Sequence, residues 1–159
     1  MHPAKKTEIT TLAAKLIAKE EGYRSKPYFC SEGYPTIGYG QKLGPNNAPL
    51  DLYQFELPER VAQEWLEFSV SVLCGAIEDK KFFFEASVRT ERAAVILSMA
   101  YQLGINGLMK FGKMISAIEG KDWVEASVQA LDSRWAKQTP ERAKRHAAIL
   151  RTGEFPEGF

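Results

Sequence analysis

The residues with chemistry to offer gather early in the chain. Glu21 ends an apolar helical stretch, and YFCSEGYPTIGYG at 28–40 follows it, carrying a thiol at Cys30 and a hydroxyl at Thr36 among turn-forming glycines. A glutamate at the C-terminal end of a helix sits among unpaired carbonyls, whose negative potential disfavours ionisation and keeps a proton available. A proton held near neutral pH is what a general acid gives to a leaving oxygen. Across the turn, Cys30 and Thr36 offer groups suited to holding a water molecule. The three together outline a hydrolytic cleft. Taken singly, each has a plainer reading: a solvated surface charge, a small hydrophobe, a strand former.

The elements that must position these residues can be read from periodicity and punctuation. Leu12, Leu16 and Ile17 recur at helical spacing, which predicts a helix over about 8–21 with Thr7 or Thr10 as cap and Gly22 past its end. Residues 28–41 alternate aromatic or β-branched side chains with Gly33, Gly38 and Gly40, which predicts a small hairpin sheet. After the loop GPNNAPLDLYQFE, Pro58 opens a long helix whose apolar face is read as Val61, Trp65, Phe68, Val72, Leu73 and Ile77. The rest reads as helical: Thr90 to Leu103 ended by Gly104, Gly107 to Ile118 ended by Gly120, and Asp122 to Leu131. A last helix follows Thr139 as N-cap and Pro140 in its first turn, with Gly153 beyond its end.

The bulk properties narrow the class. At 159 residues, 45% hydrophobic and 26% charged, the chain suits one compact domain with a real core. A net charge of +1 gives no general attraction to nucleic acid, and no apolar run approaches the length of a membrane span. Lys15 interrupts the N-terminal apolar patch and no small-residue cleavage site follows, so no secretion signal is expected. Cys30 and Cys74 match neither a disulfide framework nor a metal-ligand spacing; both are expected reduced, with no metal and no cofactor.

The segment EGYRSKPYFCSEGYPTIGYG resembles the active-site stretch of phage-type lysozymes, glycoside hydrolase family 24. The family pattern is a glutamate before glycine, eight residues, an aspartate, five residues, and the threonine of a T-x-G-x-G turn. Glu21, Cys30 and Thr36 reproduce that spacing. SRWAKQTPERAKRHAAILRTG at 133–153 is similar to the family's C-terminal signature, and MAYQLG at 99–104 to its central helix. The resemblance implies a mainly helical α+β lysozyme-like fold: the helix of about 8–21, a small lobe of about 22–70 with a β-hairpin, a long joining helix, and a helical lobe of about 71–159, with the cleft between the lobes.

The implied activity is that of a muramidase cleaving the β-1,4 bond between N-acetylmuramic acid and N-acetylglucosamine in bacterial peptidoglycan, causing cell lysis. Residue by residue, Glu21 would be the acid, Cys30 stands at the second acidic position, and Thr36 would position water. Arg142 matches an arginine that approaches the glutamate, and Glu32 and Arg134 match a pair bridging the cleft mouth. Gln102 matches a polar residue of the cleft floor. Tyr101 and Gln129 match sugar-contacting positions, and Lys42 and Met114 occupy such positions with different residue types. The implied setting is a monomer with no stable membrane insertion, made in the host cytoplasm and given access to the wall by a holin that opens the inner membrane.

Cys30 departs from the pattern. Glycosidases generally use two carboxylates, and an ordinary thiol is mostly protonated at neutral pH and a poor base. Three routes stay open: water oriented by Thr36, Cys30 and backbone; a Cys30 thiolate attacking the anomeric carbon; or internal attack by a sugar hydroxyl, as in lytic transglycosylases that use one glutamate. The first needs no new chemistry and is the expectation. A catalytically silent wall-binding module is the reading from another class.

Overall fold

The computed structural model describes residues 1–159. Helix α1, Pro3–Glu21, starts five residues earlier than the periodicity suggests, because His2 accepts from Ala4 N through Nδ1 and Pro3 fits the first turn. Thr7 and Thr10 lie inside the helix, and their hydroxyls donate back to the carbonyls of Pro3 and Thr7 instead of capping. The chain then forms one antiparallel sheet in the order β1–β2–β3, from Arg24–Phe29, Pro35–Gly38 and Gln41–Lys42. Its register sets Tyr28 opposite Thr36 and Thr36 opposite Lys42, with an irregularity between Arg24 and Tyr28. One cross-strand row thus carries three side chains of different chemistry.

Helix α2, Glu59–Ile77, is about 28 Å long at 1.5 Å per residue and leads from the sheet to the helical lobe. Its buried face is Ala62, Leu66, Val70, Cys74 and Ile77. Of the face read from the sequence only Ile77 is fully buried, while Val61, Trp65, Phe68 and Val72 are exposed. Both sides of this helix carry apolar residues at helical spacing, and the larger ones dominate the sequence pattern; packing against α1 and α4 selects the smaller ones.

The remaining helices are α3 (Lys81–Ala86), α4 (Thr90–Met109), α5 (Gly112–Glu119), α6 (Trp123–Leu131), α7 (Arg134–Gln138) and α8 (Pro140–Thr152). Gly104 interrupts α4 with φ 74° and ψ 164°, a backbone state suited to glycine, so the expected break is there but the helix resumes beyond it. Two short helices, α3 and α7, leave no periodic trace in the sequence, since five or six residues are too few to show a period. Asp122 caps α6 by accepting from Glu125 N, and Gly153 closes α8 in the left-handed region at φ 77°. Thr139 holds the N-cap position of α8, but its hydroxyl donates to the Trp135 carbonyl.

A single cluster of 33 buried residues runs from Ile9, Ile17 and Ile37 through Leu66 and Phe82 to Met99, Leu108 and Met114. Cys74 lies in it as a small hydrophobe, and neither cysteine is bridged. The fold is α+β and lysozyme-like, a small sheet joined by a long helix to a helical lobe. No helix is long and apolar enough to cross a membrane.

Candidate active site

A cleft of about 700 Å³ lies between the sheet and the helical lobe. Glu21 enters it from the last residue of α1. Gly40, at φ 77°, makes room for the carboxylate: a Cβ there would stand 2.8 Å from Glu21 Oε2. The tight turn after β2 therefore fits glycine both by conformation and by close approach. The sheet supplies the opposite wall, where the row Tyr28, Thr36 and Lys42 lines the cleft together with Cys30, just past β1. Cys30 is placed by its backbone, whose N–H donates to Tyr34 and whose carbonyl accepts from Gly33. Thr36 is 2% exposed and donates its hydroxyl hydrogen to the Tyr34 carbonyl at 2.7 Å, which leaves its oxygen lone pairs for an outside donor such as water.

The helical lobe contributes the cations and the floor. Arg142 Nη1 donates to Glu21 Oε1 at 2.6 Å, with the arginine side chain 9% and the glutamate 22% exposed. Next to them, Arg145 donates through Nε and Nη2 to both oxygens of Glu20, a bidentate pair tying α8 to α1. Tyr101 donates its hydroxyl to the Tyr39 carbonyl at 2.8 Å, bridging α4 to the turn after β2. Burial, then the charge of Glu21 and the neighbouring Tyr28, push the Tyr101 phenol well above its ordinary value, so it stays a neutral donor. Gln102 accepts from Trp135 Nε1 at 2.8 Å on the cleft floor.

The cleft thus gathers Glu21, Cys30, Glu32, Thr36, Lys42, Tyr101, Gln102 and Arg142 from the residues singled out in the sequence. Lys42 stands over the Tyr34 ring, 4.0 Å from its centroid, with no carboxylate within 4.0 Å. Met114, Gln129 and Arg134 belong instead to an adjoining hollow of about 640 Å³ that shares Leu103, Trp135 and Gln138 with the cleft. Met114 is fully buried and Gln129 is bonded to Glu125. The expected Glu32–Arg134 bridge is not formed, because Arg134 starts α7 and faces the second hollow. Sequence reasoning missed Tyr28, Glu20, Arg145, Ser98 and His146. The spacing of Arg145 and His146 within one turn of the already singled-out Arg142 on α8 is the signal that points to those two.

These residues lie inside the stretch over which known proteins are matched. The model for phage lysozyme fits residues 18–151. The chain is 30% identical over 164 residues to the pre-baseplate central spike protein Gp5 of Enterobacteria phage T4, a match covering 89% of this chain and 28% of that protein. It is 26% identical over 161 residues to "Probable T4-type lysozyme 2" of Dictyostelium discoideum, covering 89% and 95%. It is 31% identical over 134 residues to the peptidoglycan hydrolase gp36 of Pseudomonas phage phiKMV, covering 82% and 14%. The chain therefore corresponds to a small part of two phage proteins and to nearly all of the third relative. With the fold, the cleft and a family match that takes in every residue of it, the chain belongs to the phage lysozyme family.

Proposed function

We propose that this protein degrades bacterial peptidoglycan as a muramidase, hydrolysing the β-1,4 bond between N-acetylmuramic acid and N-acetylglucosamine. The observation that carries the reading is Glu21 at the cleft, held by Arg142 at 2.6 Å and faced by Thr36 and Cys30 across the gap. Glu21 gives its proton to the glycosidic oxygen as the bond to the anomeric carbon breaks. A water that donates to the Thr36 oxygen and rests against the Cys30 thiol attacks the cationic carbon and releases its own proton to solvent. Tyr101, Gln102 and Lys42 line the path of the glycan. The protein acts as one lysozyme-like unit, a monomer without cofactor or nucleic acid, made in the host cytoplasm. It reaches the wall after a holin has opened the inner membrane, and host lysis follows.

The presence of a thiol where glycosidases generally place a second carboxylate favours a second reading, internal attack by the muramic acid hydroxyl. Both are decided by digesting purified walls and analysing the fragments. Reducing muramic acid ends support hydrolysis; anhydro-muramic ends, lighter by one water, support the transglycosylase route. Glu21→Gln should lower turnover about 10²- to 10⁴-fold. No release of fragments by the parent protein would leave a silent wall-binding module as the answer.

A further inference from the structure

Behind Glu21, away from the cleft, a chain of polar groups runs into the core. Arg142 Nη2 donates to Ser98 Oγ at 3.1 Å, and Ser98 Oγ lies 2.7 Å from His146 Nε2. His146 and Ser98 are 0% exposed, and the only two buried side-chain polar atoms without a partner in the whole molecule, Arg142 Nε and His146 Nδ1, belong to this chain. A buried polar pair, its imidazole edge-on to the Trp135 ring, is costly, and an apolar pair would avoid that cost. Burial, reinforced by the Arg142 cation, holds the imidazole neutral, with its own position pushed down to about 3. One ring nitrogen of a neutral imidazole is an acceptor. With Nε2 accepting the Ser98 hydroxyl hydrogen, the serine lone pairs turn towards the guanidinium.

We infer that His146 and Ser98 form a positioning relay, in which the imidazole orients the Ser98 hydroxyl and the hydroxyl fixes the Arg142 guanidinium against the Glu21 carboxylate. His146 and Ser98 touch no substrate; they act through Arg142. The relay rests on the proposed role of Glu21 for its kinetic consequence, but its structural consequence is independent of it. The charged and titratable groups that bear on the relay are Glu20 and Glu21 from α1, Arg142 and Arg145 from α8, and Tyr28 and Tyr101 beside the carboxylate. Arg145 is occupied by Glu20, so it does not replace Arg142 at Glu21.

The test uses Ser98→Ala, His146→Phe, the double variant and His146→Gln, whose amide can present an acceptor near the Nε2 position. Two measurements are made on each: the pH profile of wall digestion, and the titration of the Glu21 carboxyl by ¹³C NMR, which needs no activity. In Ser98→Ala and His146→Phe, a loosened guanidinium stabilises the carboxylate less, so Glu21 titrates at higher pH and the alkaline limb of the profile moves up with it. Turnover falls about tenfold at little change in KM, the size of a lost hydrogen bond to a charged group. The double variant is no worse than either single one, and His146→Gln returns both readouts towards the parent. Should His146→Phe fail to fold, Ser98→Ala, the milder change, decides alone. A Glu21 titration in Ser98→Ala equal to the parent's, or effects that add in the double variant, would overturn the relay. Loss of melting temperature alone, with both pH readouts unmoved, would reduce the pair to core packing. A shifted NMR titration in a protein that releases no wall fragments would keep the relay and reject the enzymatic reading instead.

Discussion

Cys30 is the residue whose chemistry most separates this cleft from a two-carboxylate glycosidase. Its backbone is fixed on both sides, by Tyr34 and by Gly33, and Thr36 beside it presents oxygen lone pairs to the same space. A weakly polar group of small size in that position bounds a water site without adding charge. Cys30→Ser should therefore keep most of the proposed wall-digesting activity, and Cys30→Asp, which adds a base at that position, should match or exceed the parent near neutral pH. A thiolate nucleophile predicts the reverse: a nearly inactive serine variant, a covalent sugar adduct in intact-mass spectra, and retained anomeric configuration by product NMR.

At the scale of elements, α2 is the informative case, since its two faces bear apolar residues of different size and only one is used. Leu66 is 2% exposed and Phe68 is 68% exposed, although the two are two positions apart. Replacing Leu66 by alanine removes atoms from a packed interior and should cost about 2–5 kcal/mol. Phe68→Ser removes a larger side chain from solvent and should change stability by no more than about 0.5 kcal/mol. Urea unfolding of both variants checks this, and a large loss in the Phe68 variant would mean that the exposed stripe contributes to the folded state. Helix α8 makes the complementary point. Its bounds are legible because Pro140 and Gly153 act locally, whereas the turn of the Thr139 hydroxyl back to Trp135 and the inward direction of Arg142 and His146 depend on where the neighbouring elements lie.

For the whole molecule, α1 and α8 are joined by charge across 125 positions of sequence, and that junction makes stability depend on pH. In the unfolded chain a histidine binds a proton near 6.5, while buried His146 stays neutral until about 3. The unfolded state therefore holds more protons in this window, and the contribution is full above about 6.5 and lost as pH falls through 3. Burial works against the charge of Glu20, but its hydrogen bond from Arg145 and the fields of the Arg145 and Arg142 cations outweigh it and hold its carboxyl low. That contribution is present above the ordinary carboxylate range and is lost as acid protonates the group, so both act in the same direction. Melting temperature should fall as pH is lowered from 7 to 4, and His146→Gln should flatten the curve by removing the group that titrates first. A variant curve as steep as the parent's would place the acid sensitivity elsewhere.

What the sequence determined by itself was whatever depends on short-range order. The spacing of Glu21, Cys30 and Thr36, the glycines of the turn, the caps of the late helices and the amphipathic stripe of α1 are all written within about twenty residues, where backbone preference and periodicity act. The tertiary structure decided the rest. It chose which apolar face of α2 is buried, turned Arg134 away from Glu32, and carried Met114 into the core. It also drew Ser98, Arg142 and His146 together behind Glu21 from elements up to 125 positions apart. The physical reason is that local propensity fixes a helix and its two faces, while the choice between faces is made by burial against partners that lie far away in sequence.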